Sequence, residues 1–257
     1  MRDNRVKDRL LQGEAVFGTM VFEFVAPGLP AVLAGAGAEF VIYDMEHSGI
    51  SEAEFKRQVS YCRGLGIVPM VRPPEKTYAA TARLLDVGAM GLIFQMVESK
   101  SEAEDIVSWT RYPPEGVRGA MFGGAHDDYA GGEVTDKMAA ANARTLVMAL
   151  IETARGVEQV DEILSVPGID VAHIGHFDLS LTMGIPGKFD HPDFVAAIDT
   201  VLAACRKHEK PAGFLAPNVD WGRAWMARGF RMVSYSYDIG LLGGALSAGI
   251  SALKGTN

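Results

Sequence analysis

The sequence predicts an α/β protein, a closed (β/α)8 TIM barrel. Three observations predict it. Eight short runs rich in Val, Ile, Phe and Met recur along the chain, separated by longer stretches with helical periodicity or turn residues. Most are apolar nearly throughout and do not alternate with polar residues, as expected of parallel strands covered on both faces. The length, 257 residues, matches the roughly 250 residues of one such barrel. Strands alternating with helices imply βαβ units and a parallel sheet. Roughly eight units in this length favour closure over an open doubly wound sheet, so a single domain over 1–257 is expected.

The first run is AVFGTMVFEF (Ala15 to Phe24), followed by FVIYDMEH (Phe40 to His47). Ser51-Glu52-Ala53-Glu54 then opens a helix with a capping-box-like start. IVPMVR (Ile67 to Arg72) stops at Pro73-Pro74, and Thr77 to Asp86 carries Ala and Leu at helical spacing. GLIFQMV (Gly91 to Val97) leads toward a long connection, Tyr112 to about Ala141, rich in Gly and Pro with clustered Asp and His. Connections of that length are usually functional loops. TLVMALIE (Thr145 to Glu152) precedes a helix over Val157 to Leu164, and VAHIG (Val171 to Gly175) precedes one over Phe194 to Lys207. AGFLA (Ala212 to Ala216) and MVSYSYD (Met232 to Asp238) complete the strands. The small-residue tail IGLLGGALSAGISALKG reads as a closing helix, about 239–254, packed against a neighbour.

Composition excludes several classes. Hydrophobic residues at 48% and charged residues at 22% describe a globular chain. Lys+Arg 24 against Asp+Glu 32 leaves a net charge of −8, a poor match for nucleic acid or anionic membrane. Cys62 and Cys205 stand alone with no CxxC spacing, against a disulfide framework or zinc knuckle. The start, MRDNRVKDRLLQGE, has no apolar signal core, and no apolar run reaches membrane-spanning length, so a cytoplasmic protein is expected. Neither GxGxxG after the first strand nor GxxxxGK[ST] occurs.

Barrel chemistry sits at the C-terminal ends of strands. There this chain places Asp44-Met45-Glu46-His47, Arg72, Gln95, Glu152 and His176-Phe177-Asp178. Any one of these can simply meet solvent at the rim; acids, a guanidinium and an imidazole converging on one mouth suggest a site. Glu152 and Asp178 suit a divalent cation with positions left for water and substrate oxygens. The alternative for Asp178 is a helix N-cap. Arg72 suits a carboxylate or enolate oxygen, or else a salt bridge to Glu46 or Glu152. His47 suits a base oriented by Asp44 or Asp86. For His47, His173 and His176 alike the alternative is a structural hydrogen bond in the core. His126 with Asp127 and Asp128 resembles a second metal site less than it does a solvated loop.

Asp44-x-Glu46-His47, VPMVRPP, LLDVGAMGLIFQMV, YPPEGVRG, ALIET, IGHFDLSLTMG and GFLAPN, in this order over nearly the whole chain, closely resemble the HpcH/HpaI aldolase family. These are class II pyruvate aldolases, typified by 2,4-dihydroxyhept-2-ene-1,7-dioate aldolase. The resemblance implies a barrel of the phosphoenolpyruvate/pyruvate superfamily, assembled as a hexamer (a trimer of dimers) with exchanged C-terminal helices. It implies Mg2+, Mn2+ or Co2+ and cleavage of 4-hydroxy-2-oxo acids to pyruvate, or a related 2-oxo acid, and an aldehyde through a metal-stabilised enolate, in aromatic compound catabolism. Matched by motif, Glu152 and Asp178 are metal ligands, and Arg72 binds the 2-oxo oxygen. His47 is the base, paired with Asp86 and assisted by Asp44. The amides of Phe177 and Asp178 receive the carboxylate, and Gln95 and Leu215 contact the substrate region. No strand end carries the Lys a Schiff-base aldolase requires.

Two departures from the family pattern bear on the aldehyde. His176-Phe177 stands where Pro-Ala is usual, and the loop after Arg118 reads AMFGGAHDDYAGG. Competing expectations are another carbon–carbon lyase or an oxaloacetate-type decarboxylase on the same barrel, and a non-catalytic barrel.

Overall fold

The computed structural model describes residues 1–255; Thr256 and Asn257, the end of the expected 1–257 span, lie outside the described residues. Eight parallel strands pair in sequence order and close. They are β1 (Val16–Val21), β2 (Phe40–Asp44), β3 (Val68–Arg72), β4 (Gly91–Phe94), β5 (Leu146–Ile151), β6 (Val171–Ile174), β7 (Ala212–Ala216) and β8 (Met232–Tyr237). Each lies inside its predicted run. The fold is the (β/α)8 barrel the sequence predicts.

The apolar runs are explained by two-sided burial. Val41, Tyr43, Val71, Leu92 and Phe94 face outward to the helices. Phe40, Ile42, Met70, Ile93, Met148 and Met232 fill the interior. The first helix, α1 (Arg5–Leu11), joins Val6 and Leu10 to that interior cluster and so plugs the N-terminal end of the barrel.

The outer layer holds α2 (Leu29–Gly35), α3 (Glu52–Cys62), α4 (Tyr78–Asp86), α5 (Lys100–Thr110), α6 (Val134–Arg144), α7 (Ala154–Glu158), α8 (Val160–Leu164), α9 (His176–Thr182), α10 (Pro192–Lys207), α11 (Val219–Arg228) and α12 (Asp238–Lys254). The capping box forms at α3: Ser51 Oγ accepts from the Glu54 N–H at 3.3 Å, and Glu54 Oε2 accepts from the Ser51 N–H at 2.9 Å. Thr77 caps α4 through its hydroxyl alone, Oγ1 accepting from the Ala80 N–H at 3.3 Å.

Two expectations change. The helix over Val157 to Leu164 is two helices, because the chain leaves helical geometry at Gln159 (φ −98°, ψ 2°). The long connection is not all loop. Its alanine-rich end forms α6, and a short 3-10 turn occupies Ala125–Asp127. The tail forms α12, which within the chain buries only Asp238 and leaves Leu242, Leu246, Ile250 and Leu253 exposed. Among the described residues, no helix is long and apolar enough to cross a membrane.

In a tilted barrel, side chains from alternate strands share one height. The pairing registers place Ile42, Ile93, His173 and Ser234 in one interior layer. The next layer toward the mouth is Met20, Arg72, Leu150 and Leu215.

Candidate active site

A cavity of about 120 Å³ opens at the C-terminal ends of the strands, lined by Met20, Phe22, Arg72, Ile93, Leu150, Glu152, Leu215 and the segment 173–178. It therefore brings together Arg72, Glu152, Phe177, Asp178 and Leu215 of the expected residues. His47, Asp44, Asp86 and Gln95 do not line it.

Glu152 follows β5 directly and is 3% exposed. Its Oε1 accepts a hydrogen bond from the Met96 N–H at 2.8 Å. Met96 makes this contact from a left-handed conformation (φ 46°), and its carbonyl accepts from Lys76 Nζ at 2.5 Å. Across β6, Gly175 is required: a β-carbon there would collide with Glu152 Oε2. Burial pushes the Glu152 pKa up to about 7; the Met96 N–H and Arg72 pull it down, while the nearby Asp178 and Glu46 charges push it up.

Asp178 is half-buried in the first turn of α9. It is not the N-cap, because α9 begins at His176 with Gly175 as its cap. Two carboxylates on one cavity, one of them destabilised as an anion and neither bound to a Lys or Arg, are a donor set suited to a hard divalent cation. Among the described residues no group of three His, Cys, Asp or Glu gathers, so substrate and water oxygens would complete such a site.

Arg72 ends β3 beside its cross-strand neighbour Asp44. Its Nε is paired with Asp44 Oδ2, and its Nη1 lies 2.9 Å from Glu46 Oε2. The salt-bridge alternative therefore holds with Glu46, and Asp44 is a second partner. Asp44 is fully buried, and its Oδ1 accepts from the His47 backbone N–H at 2.6 Å. Asp44 thus fixes the His47 main chain rather than its ring. The His47 side chain is 57% exposed, with Nε2 3.6 Å from Glu46 Oε2.

The expected pairing of His47 with Asp86 is not made within the chain. Asp86 is the last residue of α4, whose 9 residues carry it about 13 Å from the mouth. There it accepts from Arg118 Nη2 at 2.8 Å. Gln95 lies one residue past β4 and donates to the Pro73 carbonyl at 3.2 Å, tying the loops after β3 and β4. Phe177 stands exposed at the rim. The His176 ring packs in an aromatic cluster with Phe177, Phe189 and Trp221, and burial holds its pKa down at about 4. The acids beside His126 are already paired, Asp127 with Lys137 at 2.8 Å and Asp128 with Arg2 at 3.0 Å.

Sequence reasoning missed Met96, Gly175, Met20 and Phe22, and it took His173 for a core histidine. Gly175, at the end of an apolar strand just before the acidic segment, is the one position with a usable signal. Nothing local marks Met96.

The fold and site have known relatives. The family model HpcH/HpaI aldolase/citrate lyase matches residues 24–244. The 5-keto-4-deoxy-D-glucarate aldolase of Shigella dysenteriae serotype 1 (strain Sd197) is 35% identical over 210 residues, 82% of this chain and 81% of the relative. The crystal structure of an HpcH/HpaI aldolase from Desulfitobacterium hafniense DCB-2 superposes with a TM-score of 0.93 at 30% identity, covering 97% of this chain and 96% of that one. The citrate synthase SbnG superposes with a TM-score of 0.85 at 28% identity, covering 97% of each chain. The chain belongs to the HpcH/HpaI aldolase/citrate lyase family and is a carbon–carbon lyase.

Proposed function

We propose that this lyase cleaves, and in reverse forms, 4-hydroxy-2-oxo acids, giving pyruvate or a related 2-oxo acid and an aldehyde, with Mg2+, Mn2+ or Co2+ as cofactor. The observation that carries the reading is the pair Glu152 and Asp178 on one small cavity beside Arg72. Glu152 and Asp178 would hold the divalent cation, which would supply Lewis acidity toward a bound 2-oxo acid. Arg72 adds a fixed positive field where negative charge grows on the 2-oxo oxygen, and Asp44 and Glu46 hold its guanidinium in place. The backbone amides of Phe177 and Asp178 receive the carboxylate. His47, exposed at the rim, takes the proton of the 4-hydroxyl through water. The carboxylate nearest its ring is Glu46, with Nε2 3.6 Å from Oε2.

The test is pyruvate release from a panel of 4-hydroxy-2-oxo acids, with and without chelator. The panel includes 5-keto-4-deoxy-D-glucarate, on which the relative acts by name. Chelator-sensitive release is expected; release that chelator leaves intact would remove the cation from the reading. His47→Ala is expected to impair aldol cleavage while sparing oxaloacetate decarboxylation, which has no 4-hydroxyl to deprotonate. An equal fall in both would remove the base role.

A hexamer with exchanged C-terminal helices fits the apolar side chains that α12 leaves exposed, Leu242, Leu246, Ile250 and Leu253 among them. Leu246→Asp with Ile250→Asp is expected to give a smaller species in light scattering. An unchanged mass would exclude α12 from the assembly.

A further inference from the structure

The barrel interior contains two polar side chains that an apolar filling does not explain. His173 on β6 and Ser234 on β8 share a layer with Ile42 and Ile93. His173 is 2% exposed and Ser234 is 0% exposed. Neither ring nitrogen of His173, nor Ser234 Oγ, has a hydrogen-bond partner in the protein. The Ile174 backbone lies near the imidazole but outside hydrogen-bond geometry. Gly213 on the intervening β7 makes room for the ring, since a β-carbon there would stand 2.8 Å from His173 Cδ2. Barrel layers are normally filled by branched apolar side chains, and a buried polar group left unpaired is destabilising. His173 also lines the active-site cavity. A group entering by that cavity can complete its hydrogen bonding.

We propose that the floor of the cavity is a subsite for an uncharged hydrogen-bonding substituent of the donor acid, a hydroxyl on the carbon next to the 2-oxo group, read by the His173 imidazole with Ser234 in the same layer. The proposal rests on the 2-oxo acid reading above and names its donor class. Glu152, Asp178 and Arg72 occupy the outer part of the cavity, where the carboxylate and oxo oxygens belong. The aldehyde arrives from solvent past the rim at Phe177. The remaining substituent of the donor's reacting carbon is the piece left to point down the barrel, toward Ile93 and His173 in the layer beneath.

The chemistry of the floor selects that piece. Burial pushes His173 down to about 3, with Arg72 and His176 adding to the effect, so the ring is neutral at working pH. A neutral imidazole offers one N–H and one lone pair, and a hydroxyl both donates and accepts. A second carboxylate would find only Arg72, already held by Asp44 and Glu46. A methyl would leave the imidazole unpaired.

Deuterium exchange at C3 of the donor, followed by proton NMR in D2O with Mg2+ and no aldehyde, reads donor handling alone. The C3–H bond breaks, its electron pair becomes that of the enolate, the proton passes to solvent, and a deuteron returns to C3. Pyruvate, 2-oxobutyrate and hydroxypyruvate are compared, the last two differing by methyl against hydroxyl. The wild type is expected to favour hydroxypyruvate over 2-oxobutyrate by about tenfold in kcat/KM. His173→Phe is expected to bring that ratio close to one, Ser234→Ala to lower it, and His173→Gln to retain part of it. Calorimetric Kd values for the two acids should show the same ratio. A wild type that treats them alike, as it would if only water occupies the floor, overturns the subsite. So does a ratio unchanged in both His173→Phe and Ser234→Ala. If none of the three donors exchanges, the aldolase reading falls and takes the subsite with it; if pyruvate exchanges without the preference, only the subsite falls.

Discussion

Glu152→Gln is expected to abolish turnover, lowering kcat/KM at least about a thousandfold, while leaving a protein that folds better without metal. The two effects have one cause. Glutamine keeps the oxygen that accepts the Met96 N–H and fits the space beside Gly175, but it offers the cation no anionic oxygen. Calorimetry with Mn2+ should show the loss of binding that accompanies the loss of rate. Wild-type metal affinity in the variant would take Glu152 out of the ligand set.

The stability arm follows from the raised pKa, about 7 in the folded protein against an ordinary 4.5. Below pH 4.5 folded and unfolded chains both keep the proton, and burial costs nothing. Between the two values the unfolded chain ionises first, so stability of the metal-free protein falls as pH rises. Above about pH 7 the loss is complete, about 3 kcal/mol. His173 and His176, buried with pKa values of about 3 and 4, act oppositely, since their contribution is lost as pH falls below the ordinary histidine range. The measured quantity is therefore the difference between variant and wild type in urea unfolding, with chelator present. Glu152→Gln should gain on the wild type from pH 5 to about pH 7 and hold a constant advantage above it. A difference that is flat with pH would mean that Glu152 does not carry the buried charge.

The barrel was legible because two-sided burial leaves its mark residue by residue: FVIYD and TLVMALI have no polar face to offer solvent. The two cavity acids were legible for a related reason: Glu152, closing such a run, has only the barrel mouth to go to, and Asp178 follows the next strand at the same end. Pairing between strands was not legible. Asp44 and Arg72 lie 28 residues apart and become neighbours only through the β2–β3 register. Asp86 shows the converse. Its motif was clear, but α4 runs away from the mouth and delivers it to Arg118. Met96 was invisible because its role belongs to its backbone N–H, held in a left-handed conformation that no methionine side chain signals. His173 was visible as a buried core residue, but the structural hydrogen bond expected of it is not made. A strand histidine is ordinarily satisfied, and only the structure shows that this one is not.

Arg72 tests whether positive charge at the mouth serves catalysis or merely holds the fold together, and its variants separate the two. Arg72→Ala leaves Asp44 fully buried and without its cation, which should cost about 3–5 kcal/mol of stability. Loss of activity in that variant alone would therefore prove little. Arg72→Lys keeps the charge but not the fork. One ammonium cannot reproduce Nε on Asp44 and Nη1 on Glu46 while also facing the cavity. It should retain most of the stability and lose about a hundredfold in kcat, the usual cost of removing one preorganised charge-stabilising donor. The decisive variant is Arg72→Met combined with Asp44→Asn, which removes the buried anion together with its cation. Its unfolding midpoint should recover toward the wild type, because a neutral pair escapes the penalty of an unpaired charge. Its turnover should stay as low as that of Arg72→Lys or lower, because nothing then faces the charge growing on the 2-oxo oxygen. Recovery of both stability and rate in the double variant would show that Arg72 only balances Asp44, and the enolate would have to be stabilised by other groups.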